Sequence, residues 1–267
     1  MGPDGAFPPR AVRLNSPGQE RCSRFGPFPW HTRRMAERTV VSPRARARAE
    51  TIEQIKRIAR EHLAVDGPNL SLRAVARDLG VVSSAVYRYF ASRDDLLTAL
   101  LIDGYTSMAD AIERAEAEAP RRDLAARWLA LGRAAREWAL EHRPEYALLY
   151  GSPVPGYAAP QDTIGPASRP VVVAMSILRD GVERGAVAIP PDRLPKAVRA
   201  DMERVEGLPG FEGVPPTLLA RAMSEWARMF GTISFELFGR LVNAVTDYDA
   251  YFEHQLRTTL RTLGLAA

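Results

Sequence analysis

The most chemically suggestive part of the chain is a run of polar side chains between residues 83 and 90. Its hydrogen-bonding members are Ser83, Ser84, Tyr87 and Arg88. Hydroxyl and guanidinium groups of this kind bond to the phosphates or to the base edges of nucleic acids. The remaining residues, Ala85, Val86, Tyr89 and Phe90, are suited to pack on neighbouring helices. The pattern therefore indicates a short helix with one polar face available to a nucleic acid.

Two short helices joined by a tight turn would hold this polar face in place. Ser71 begins the first helix, and its apolar residues follow the helical period: Leu72, Val75, Ala76 and Leu79. Gly80 closes that helix, at a position that favours a residue free to adopt positive φ. The second helix, about 83–90, is too short to be stable without neighbours. This spacing predicts a helix-turn-helix at about residues 71–90, with two short core helices of an unrelated all-α protein as the alternative.

Helical periodicity continues on both sides of this motif. Residues 44–64 form one helix that stops at Asp66-Gly67-Pro68, and Ser92 with Asp95 forms a capping box at the start of a longer one. Further helices are predicted from Asp123 onward and near 144–150, 168–185, 192–205, 215–241 and 247–263. The fold class is all-α with about nine or ten helices: a three-helix helix-turn-helix domain at 44–106 and a second helical domain at 107–267. Residues 1–43 are rich in proline and are expected to be a disordered extension, within which Met35 is an alternative start to Met1.

The residues 71–81, followed by 85–90 and 92–97, resemble the DNA-binding domain of the TetR family of bacterial transcriptional regulators. The resemblance implies that the helix after Gly80 enters the major groove of double-stranded operator DNA and that the protein is a homodimer. It also implies backbone or phosphate contacts from Ser71, Arg73, Tyr87, Tyr89 and Arg93. Val82 departs from the family pattern, because a serine or threonine usually caps the recognition helix there. The cap is therefore expected to shift by one residue, to Ser83.

Charge is distributed unevenly along the chain. Residues 1–104 carry 17 Lys or Arg and 11 Asp or Glu, a net charge of +6, whereas residues 105–267 carry 19 and 21, a net charge of −2. This asymmetry is expected when one end of a protein meets phosphates. Just before the first helix, Arg44, Arg46 and Arg48 alternate and suggest an arm that contacts a minor groove or phosphates. A solvated basic helix start is the alternative.

Residues 107–267 resemble the effector-binding and dimerisation domain of the same family more loosely. The stretch 226–237 is similar to a Trp…His-Gly…Glu-Leu stretch of one subgroup, with Phe230 in place of the histidine. The family pairs two long helices with their copies, and the candidates here are about 168–185 and 215–241. Candidates for an apolar effector pocket, with plain core packing as the alternative, are Trp128, Trp138, Tyr146, Tyr150, Met175, Trp226, Met229 and Phe230. Because few ionisable groups fall among them, a small and mostly apolar effector is expected.

Other functional classes have little support in the sequence. The four histidines lie in no metal-ligand spacing, and no phosphate-binding loop or nucleophile elbow occurs, so no metal, cofactor or enzymatic activity is expected. A single cysteine, Cys22, and the lack of a membrane-spanning apolar run favour a cytoplasmic, nucleoid-associated protein. The sequence thus predicts a sequence-specific DNA-binding regulator, a repressor released by its effector. A TetR-type activator and an all-α binding or scaffold protein are the alternatives.

Overall fold

A computed structural model describes residues 42–67, 70–187, 189, 191 and 193–265 of the chain. Its elements are α1 (Pro43–Asp66), α2 (Leu72–Asp78), α3 (Ser83–Tyr87), α4 (Arg93–Glu118), α5 (Leu124–Glu141), α6 (Arg143–Tyr150), a 3-10 helix (Gln161–Thr163), α7 (Ile164–Glu183), α8 (Lys196–Glu206), α9 (Pro216–Leu237) and α10 (Tyr248–Leu263). Ten α-helices and no strand occur in these described ranges, which confirms the all-α prediction. The predicted disordered extension, 1–43, lies outside the described residues except for Ser42 and Pro43.

The chain divides into two compact units, Met1–Ala45 and Arg46–Ala267. In the first unit, the described part is the start of α1, where the Ser42 hydroxyl oxygen accepts a hydrogen bond from the Ala45 N–H at 3.2 Å. The second unit contains two apolar cores. The smaller is formed by residues of α1 to α4 and the larger by residues of α4 to α10. Helix α4 contributes to both cores and contains the predicted domain boundary at residue 106, so it connects the two parts of this unit.

The helix ends follow local backbone geometry, in part as predicted. The capping box is confirmed, since the Ser92 side chain accepts from the Asp95 N–H and the Asp95 side chain accepts from the Ser92 N–H. Helix α3 ends at Tyr87 rather than at about residue 90. Beyond it, the N–H groups of Tyr89 and Phe90 both donate to the Val86 carbonyl and form a turn. Helix α9 ends at Leu237 rather than 241, since Gly239 adopts a φ of +69° there. Such left-handed glycines end helices because they turn the chain out of the helical path.

Helix α6 and the loop after it connect the larger core to the helix-turn-helix part. Leu148, Val154 and Tyr157 pack against the smaller apolar core. The hydroxyl groups of Tyr157 and Thr98 lie 2.8 Å apart, which ties this loop to helix α4. Within the helix-turn-helix part, Asp103 of α4 accepts hydrogen bonds from Lys56 at 3.0 Å and Arg60 at 2.9 Å, both on α1, which fixes α1 on α4. The two parts are therefore held together by apolar packing and by a specific polar contact.

A buried arginine joins three helices of the larger core. The Arg127 side chain on α5 has no solvent exposure, and its Nε donates to Glu116 of α4 at 2.5 Å. Its Nη1 donates to Asp180 of α7 at 2.6 Å. Arg121 approaches the same two carboxylates at 2.7 and 3.4 Å. Because a buried charge needs compensation, this network fixes the C-terminal end of α4 against α5 and α7.

Candidate nucleic-acid interface

The turn before α3 gives this short helix a fixed position. At the start of α2, the Ser71 hydroxyl oxygen accepts from the Ala74 N–H at 3.5 Å. At its end, Gly80 has a φ of +74°, and the Val81 N–H donates to the Ala76 carbonyl at 3.0 Å. A side chain at Gly80 would be strained in this conformation, which explains why glycine occupies the turn. The helix-turn-helix predicted at about 71–90 is thus present as two helices and a closed turn.

The recognition helix has no side-chain cap, so the predicted shift of the cap to Ser83 is wrong. Val82 is the N-cap residue, with an extended backbone (φ −68°, ψ 144°), and its carbonyl accepts from the Ala85 N–H at 2.9 Å. Ser83 is the first helical residue. A helix begins where the backbone leaves the extended region, and the residue type at that place only adjusts its stability.

Several polar side chains on α3 and beside it lie at the surface, next to the exposed Val81 and Val82. Ser84, Tyr87 and Arg88 are exposed, whereas Ser83 is half-buried. Arg73 on α2 is exposed as well. Among the described residues, neither the Arg73 nor the Arg88 side chain has a hydrogen-bond or ion-pair partner. Both guanidinium groups are therefore available to a phosphate or a base.

Tyr89 lies at the edge of this face, where the chain leaves α3. Its ring is half-buried against the smaller core, and the Arg48 guanidinium of α1 lies above it, 5.0 Å from the ring centroid. This cation–π contact holds the Arg48 charge beside the recognition helix. Arg44 and Arg46, also exposed on α1, have no such contact with a described aromatic ring.

Arg93 and Ser71 each have a role within the protein. Arg93 is the first residue of α4, and its guanidinium lies 4.0 Å from the Asp94 carboxylate with a third of the side chain exposed. Ser71 is exposed and caps α2. A phosphate would therefore be an additional partner for both side chains. Both residues lie at helix starts, Ser71 as the N-cap of α2 and Arg93 directly after Ser92, the N-cap of α4.

A contact between the C-terminal parts of α1 and α2 fixes the first helix of the helix-turn-helix on α1. His62 Nε2 lies 2.6 Å from the Asp78 carboxylate, and Arg77 Nε donates to the same carboxylate at 3.2 Å. The hydrogen bond with His62, followed by that from Arg77, lowers the pKa of Asp78. Asp78 is therefore ionised at neutral pH, and its carboxylate is already bonded to His62 and Arg77. It lies at the C-terminal end of α2, whereas Ser71 lies at the N-terminal end.

Four of the eight aromatic and methionine candidates form a continuous row in the larger core. The ring centroids of Tyr146 and Tyr150 are 5.0 Å apart, those of Tyr150 and Phe230 4.6 Å, and those of Phe230 and Trp226 4.7 Å. The Tyr146 hydroxyl donates to the Phe230 carbonyl at 3.0 Å and lies 2.9 Å from the Ser234 hydroxyl. Burial raises the pKa of Tyr146 to about 12 and also raises that of Tyr150. Both phenols are therefore protonated at neutral pH.

The other four candidates are buried elsewhere in the same core. Trp138 stacks on His142 at 4.9 Å, and its Nε1 donates to Ser107 at 3.0 Å. Trp128 is 1% exposed, and its indole N–H has no partner in the described structure. Met175 and Met229 are also buried. Six of the eight candidates are thus buried in the core, and Tyr150 and Trp226 are partly buried against it. Among the described residues, the Trp128 and Trp226 indole N–H groups and the Tyr150 hydroxyl have no hydrogen-bond partner.

A surface cleft of about 630 Å³ lies between α5 and α10, away from these eight side chains. It is lined by Arg133, Arg136, Glu137, Leu140, Glu141, Asp249, Ala250, Phe252 and Glu253. Its arginines are already paired: Arg136 makes a two-pronged contact with Glu236, at 2.7 Å for each bond, and Arg133 makes one with Glu253. The hydrogen bonds with Glu236 raise the pKa of Arg136. Sequence reasoning missed this cleft because it forms between helices more than 100 residues apart.

In the described part of the chain, no helix is long and apolar enough to cross a membrane. In the same residues, no group of three or more His, Cys, Asp or Glu side chains is arranged to hold a metal ion. The predictions of no enzymatic activity, no cofactor and no metal stay predictions.

Two family descriptions match most of the folded chain. Residues 57–100 match "Bacterial regulatory proteins, tetR family", and residues 128–259 match "Tetracyclin repressor-like, C-terminal domain". The chain is 38% identical over 233 residues to the HTH-type transcriptional regulator Rv1816 of Mycobacterium tuberculosis, covering 86% of this chain and 99% of that protein. A regulator of Mycobacterium bovis, Mb1846, matches to the same extent. The family match over residues 57–100 contains the helix-turn-helix, and the match over residues 128–259 contains the row of aromatic rings.

Solved structures share the fold. The crystal structure of the regulatory protein SCO4313 superimposes with a TM-score of 0.68 at 33% identity, covering 82% of this chain and all of that one. A regulatory protein of the tetR family from Rhodococcus RHA1 has a TM-score of 0.58 at 18% identity, covering 82% of this chain and 99% of its own. The second similarity concerns the fold alone.

Proposed function

Because this chain belongs to the TetR family of bacterial regulatory proteins, we propose that it is a repressor that binds operator DNA as a homodimer and is released by a small effector. It is a DNA-binding transcriptional regulator by family, and the finer parts of this proposal rest on the geometry described above. The observation that carries it is the exposed, unpaired polar face of α3, presented by a closed turn. A protein of this kind acts in the cytoplasm, at the nucleoid.

The side chains around α3 divide into two roles. Those at its flanks and on α1 contact phosphates and so position the protein without reading sequence: Arg44, Arg46, Arg48, Ser71, Arg73, Tyr87, Tyr89 and Arg93. Those on the outward face of α3 contact base edges in the major groove: Ser83, Ser84 and Arg88. Arg88 supports the second role best, because an exposed guanidinium with no partner can make a bidentate bond to guanine.

We expect selection from a pool of random duplexes to yield a near-palindromic sequence, bound with an affinity that falls steeply as salt rises. Tyr87→Phe removes one phosphate contact and should weaken binding to all duplexes by a similar factor. Arg88→Ala should instead change the preferred base at one position per half-site, by about 1–3 kcal/mol. Fluorescence anisotropy over a salt series, with the selected duplex and single-base variants, measures both effects.

The control for these variants is Arg57→Ala, because Arg57 is exposed on α1 but pairs with Glu61 at 2.6 Å. Its removal should change neither preference nor affinity beyond a small effect of charge. Failure to select any duplex at low salt would contradict DNA binding and would favour the alternative of an all-α binding or scaffold protein. A Tyr87→Phe variant that binds as tightly as the parent would contradict the assignment of phosphate contacts.

The homodimer is supported by exposed apolar residues on α9 and directly after it. Met223, Phe235 and Phe238 are 51%, 54% and 46% exposed, although large apolar side chains are usually covered. Gly231 lies between them, and a Cβ built there would meet nothing within 4 Å, which leaves room for a closely approaching partner. Helix α7, the other predicted partner helix, contributes the exposed Ile164 at its first turn. We therefore propose that α9, with α7, pairs with its copy in a second subunit.

The effector site is proposed at the row of rings between α6 and α9. It is supported by the aromatic surface there and by the Tyr150 hydroxyl, a donor without a partner among the described residues. Helix α6 also contacts the smaller core through Leu148, and Tyr157 follows it at the contact with Thr98. An apolar molecule inserted beside Tyr150 would displace α6 and so disturb the support of the helix-turn-helix. The loss of operator affinity is set by the difference between the molecule's affinities for the protein with α6 displaced and with α6 in place.

This part of the proposal predicts a reciprocal coupling. A thermal-shift screen of neutral aromatic and aliphatic compounds should yield a ligand that weakens operator binding by about 5–150-fold. Operator DNA must then weaken binding of that ligand by the same factor. Tyr150→Phe should reduce the affinity for the ligand and leave operator affinity without ligand unchanged. A ligand that binds tightly in calorimetry and leaves operator affinity unaltered would contradict release by that compound.

A further inference from the structure

Val82 lies at the start of the recognition helix, where the protein leaves this apolar residue largely uncovered. Val82 is 71% exposed. In described residues 46–106, the exposed large apolar side chains are Val65, Val81, Val82 and Tyr87, and three of these four lie on the turn or on α3. Apolar surface of this kind is stabilised when a partner covers it. Its concentration on the face that meets DNA suggests that the partner is DNA.

The backbone holds Val82 in one orientation. Its N-cap position is set by the bond from the Ala85 N–H to its carbonyl at 2.9 Å, and the preceding Val81 N–H is bonded to Ala76 at 3.0 Å. A β-branched side chain has few χ1 rotamers, so little rotational freedom is lost when it is covered. Valine is also a poor N-cap, since it cannot accept from the first helical N–H groups as serine does. The local structure of the helix therefore does not explain this valine.

The chemistry of a base pair leaves one apolar target in the major groove. Guanine, adenine and cytosine present hydrogen-bonding groups there, whereas thymine also presents its C5 methyl group. An isopropyl group makes no hydrogen bond and can discriminate only through that methyl. The N-terminal residues of a recognition helix are those that contact base edges. Resting on the proposed DNA binding, we propose that Val82 reads the methyl group of one thymine in each half-site of the operator.

The test uses the duplex selected by the full-length protein, with each thymine replaced in turn by deoxyuridine, which lacks only the methyl. At one thymine position per half-site, the parent protein should lose affinity by about fourfold, and roughly 15-fold when both half-sites are changed. Val82→Ser should bind the thymine and deoxyuridine duplexes with affinities within about twofold of each other. Because serine is a good N-cap, this variant should melt no lower than the parent.

Val65→Ser is the matched control. Val65 is 84% exposed near the end of α1, away from α3, and this variant should keep the full preference for thymine. The proposal is overturned if no thymine position shows a methyl effect in the parent, or if Val82→Ser retains the same effect. A failure to select any duplex would overturn the proposed DNA binding together with this inference. A selected duplex without methyl dependence overturns this inference alone.

Discussion

Replacement of Phe235 by glutamate is expected to convert the protein into a monomer and to lower its operator affinity roughly 100-fold or more. Phe235 is 54% exposed on α9, as is Met223 at 51%, and Phe238 directly after the helix is 46% exposed. In the proposed dimer this side chain is covered by the copy of α9, and a carboxylate there would lose its water without gaining a cation. A monomer presents one recognition helix, so it loses the avidity that joins two half-sites.

Sedimentation velocity would report the change in mass, and anisotropy with the selected duplex would report the change in affinity. Leu208→Glu is the matched control, because Leu208 is 48% exposed in the segment after α8 and lies on neither α7 nor α9. It introduces the same charge and should leave both measurements unchanged. A Phe235→Glu protein that remains dimeric would place the dimer interface elsewhere. A monomer with undiminished operator affinity would contradict the need for two subunits.

Local features of the fold were predictable from the sequence because their causes lie within a few residues. The capping box of Ser92 and Asp95 depends on a spacing of three residues, and the turn at Gly80 depends on one residue that tolerates positive φ. The apolar period identified α2 in the same way. These elements are also the ones that carry the recognition helix. The local fold around the candidate nucleic-acid interface was therefore the most predictable part of the molecule.

Features formed between distant helices were not predictable. Arg127 is charged and would be expected at the surface, yet it is fully buried because Glu116 and Asp180, 11 and 53 residues away, converge on it. The cleft between α5 and α10 likewise depends on pairs such as Arg133 with Glu253. No pattern within one helix encodes such pairs. The exposed Val82 was visible as a departure from the family pattern, but its exposure required the structure.

Arg127→Ala is expected to reduce the free energy of unfolding by about 3–5 kcal/mol, the usual cost of breaking a buried ion pair from one side. The Glu116 and Asp180 side chains are only 10% and 18% exposed. Without Arg127 both carboxylates keep Arg121, which is 61% exposed, and Asp180 also keeps Arg184 at 4.0 Å. They lose the buried cation that lies between them. The alanine also leaves a cavity where three helices meet, which adds to the loss. The C-terminal end of α4 should loosen first, since Glu116 is its anchor to α5.

Arg133→Ala makes the same chemical change on the same helix and provides the control. Arg133 is 54% exposed in its pair with Glu253, and exposed pairs contribute about 0–1 kcal/mol. Urea unfolding of both variants at one fixed protein concentration would compare them, because the stability of the proposed dimer would depend on concentration. An equal loss of unfolding free energy in the two variants would mean that Arg127 does not anchor α4 in the way that its burial indicates. A large loss confined to Arg127→Ala, with hydrogen exchange accelerated at residues 108–118, would locate that anchor at the end of α4.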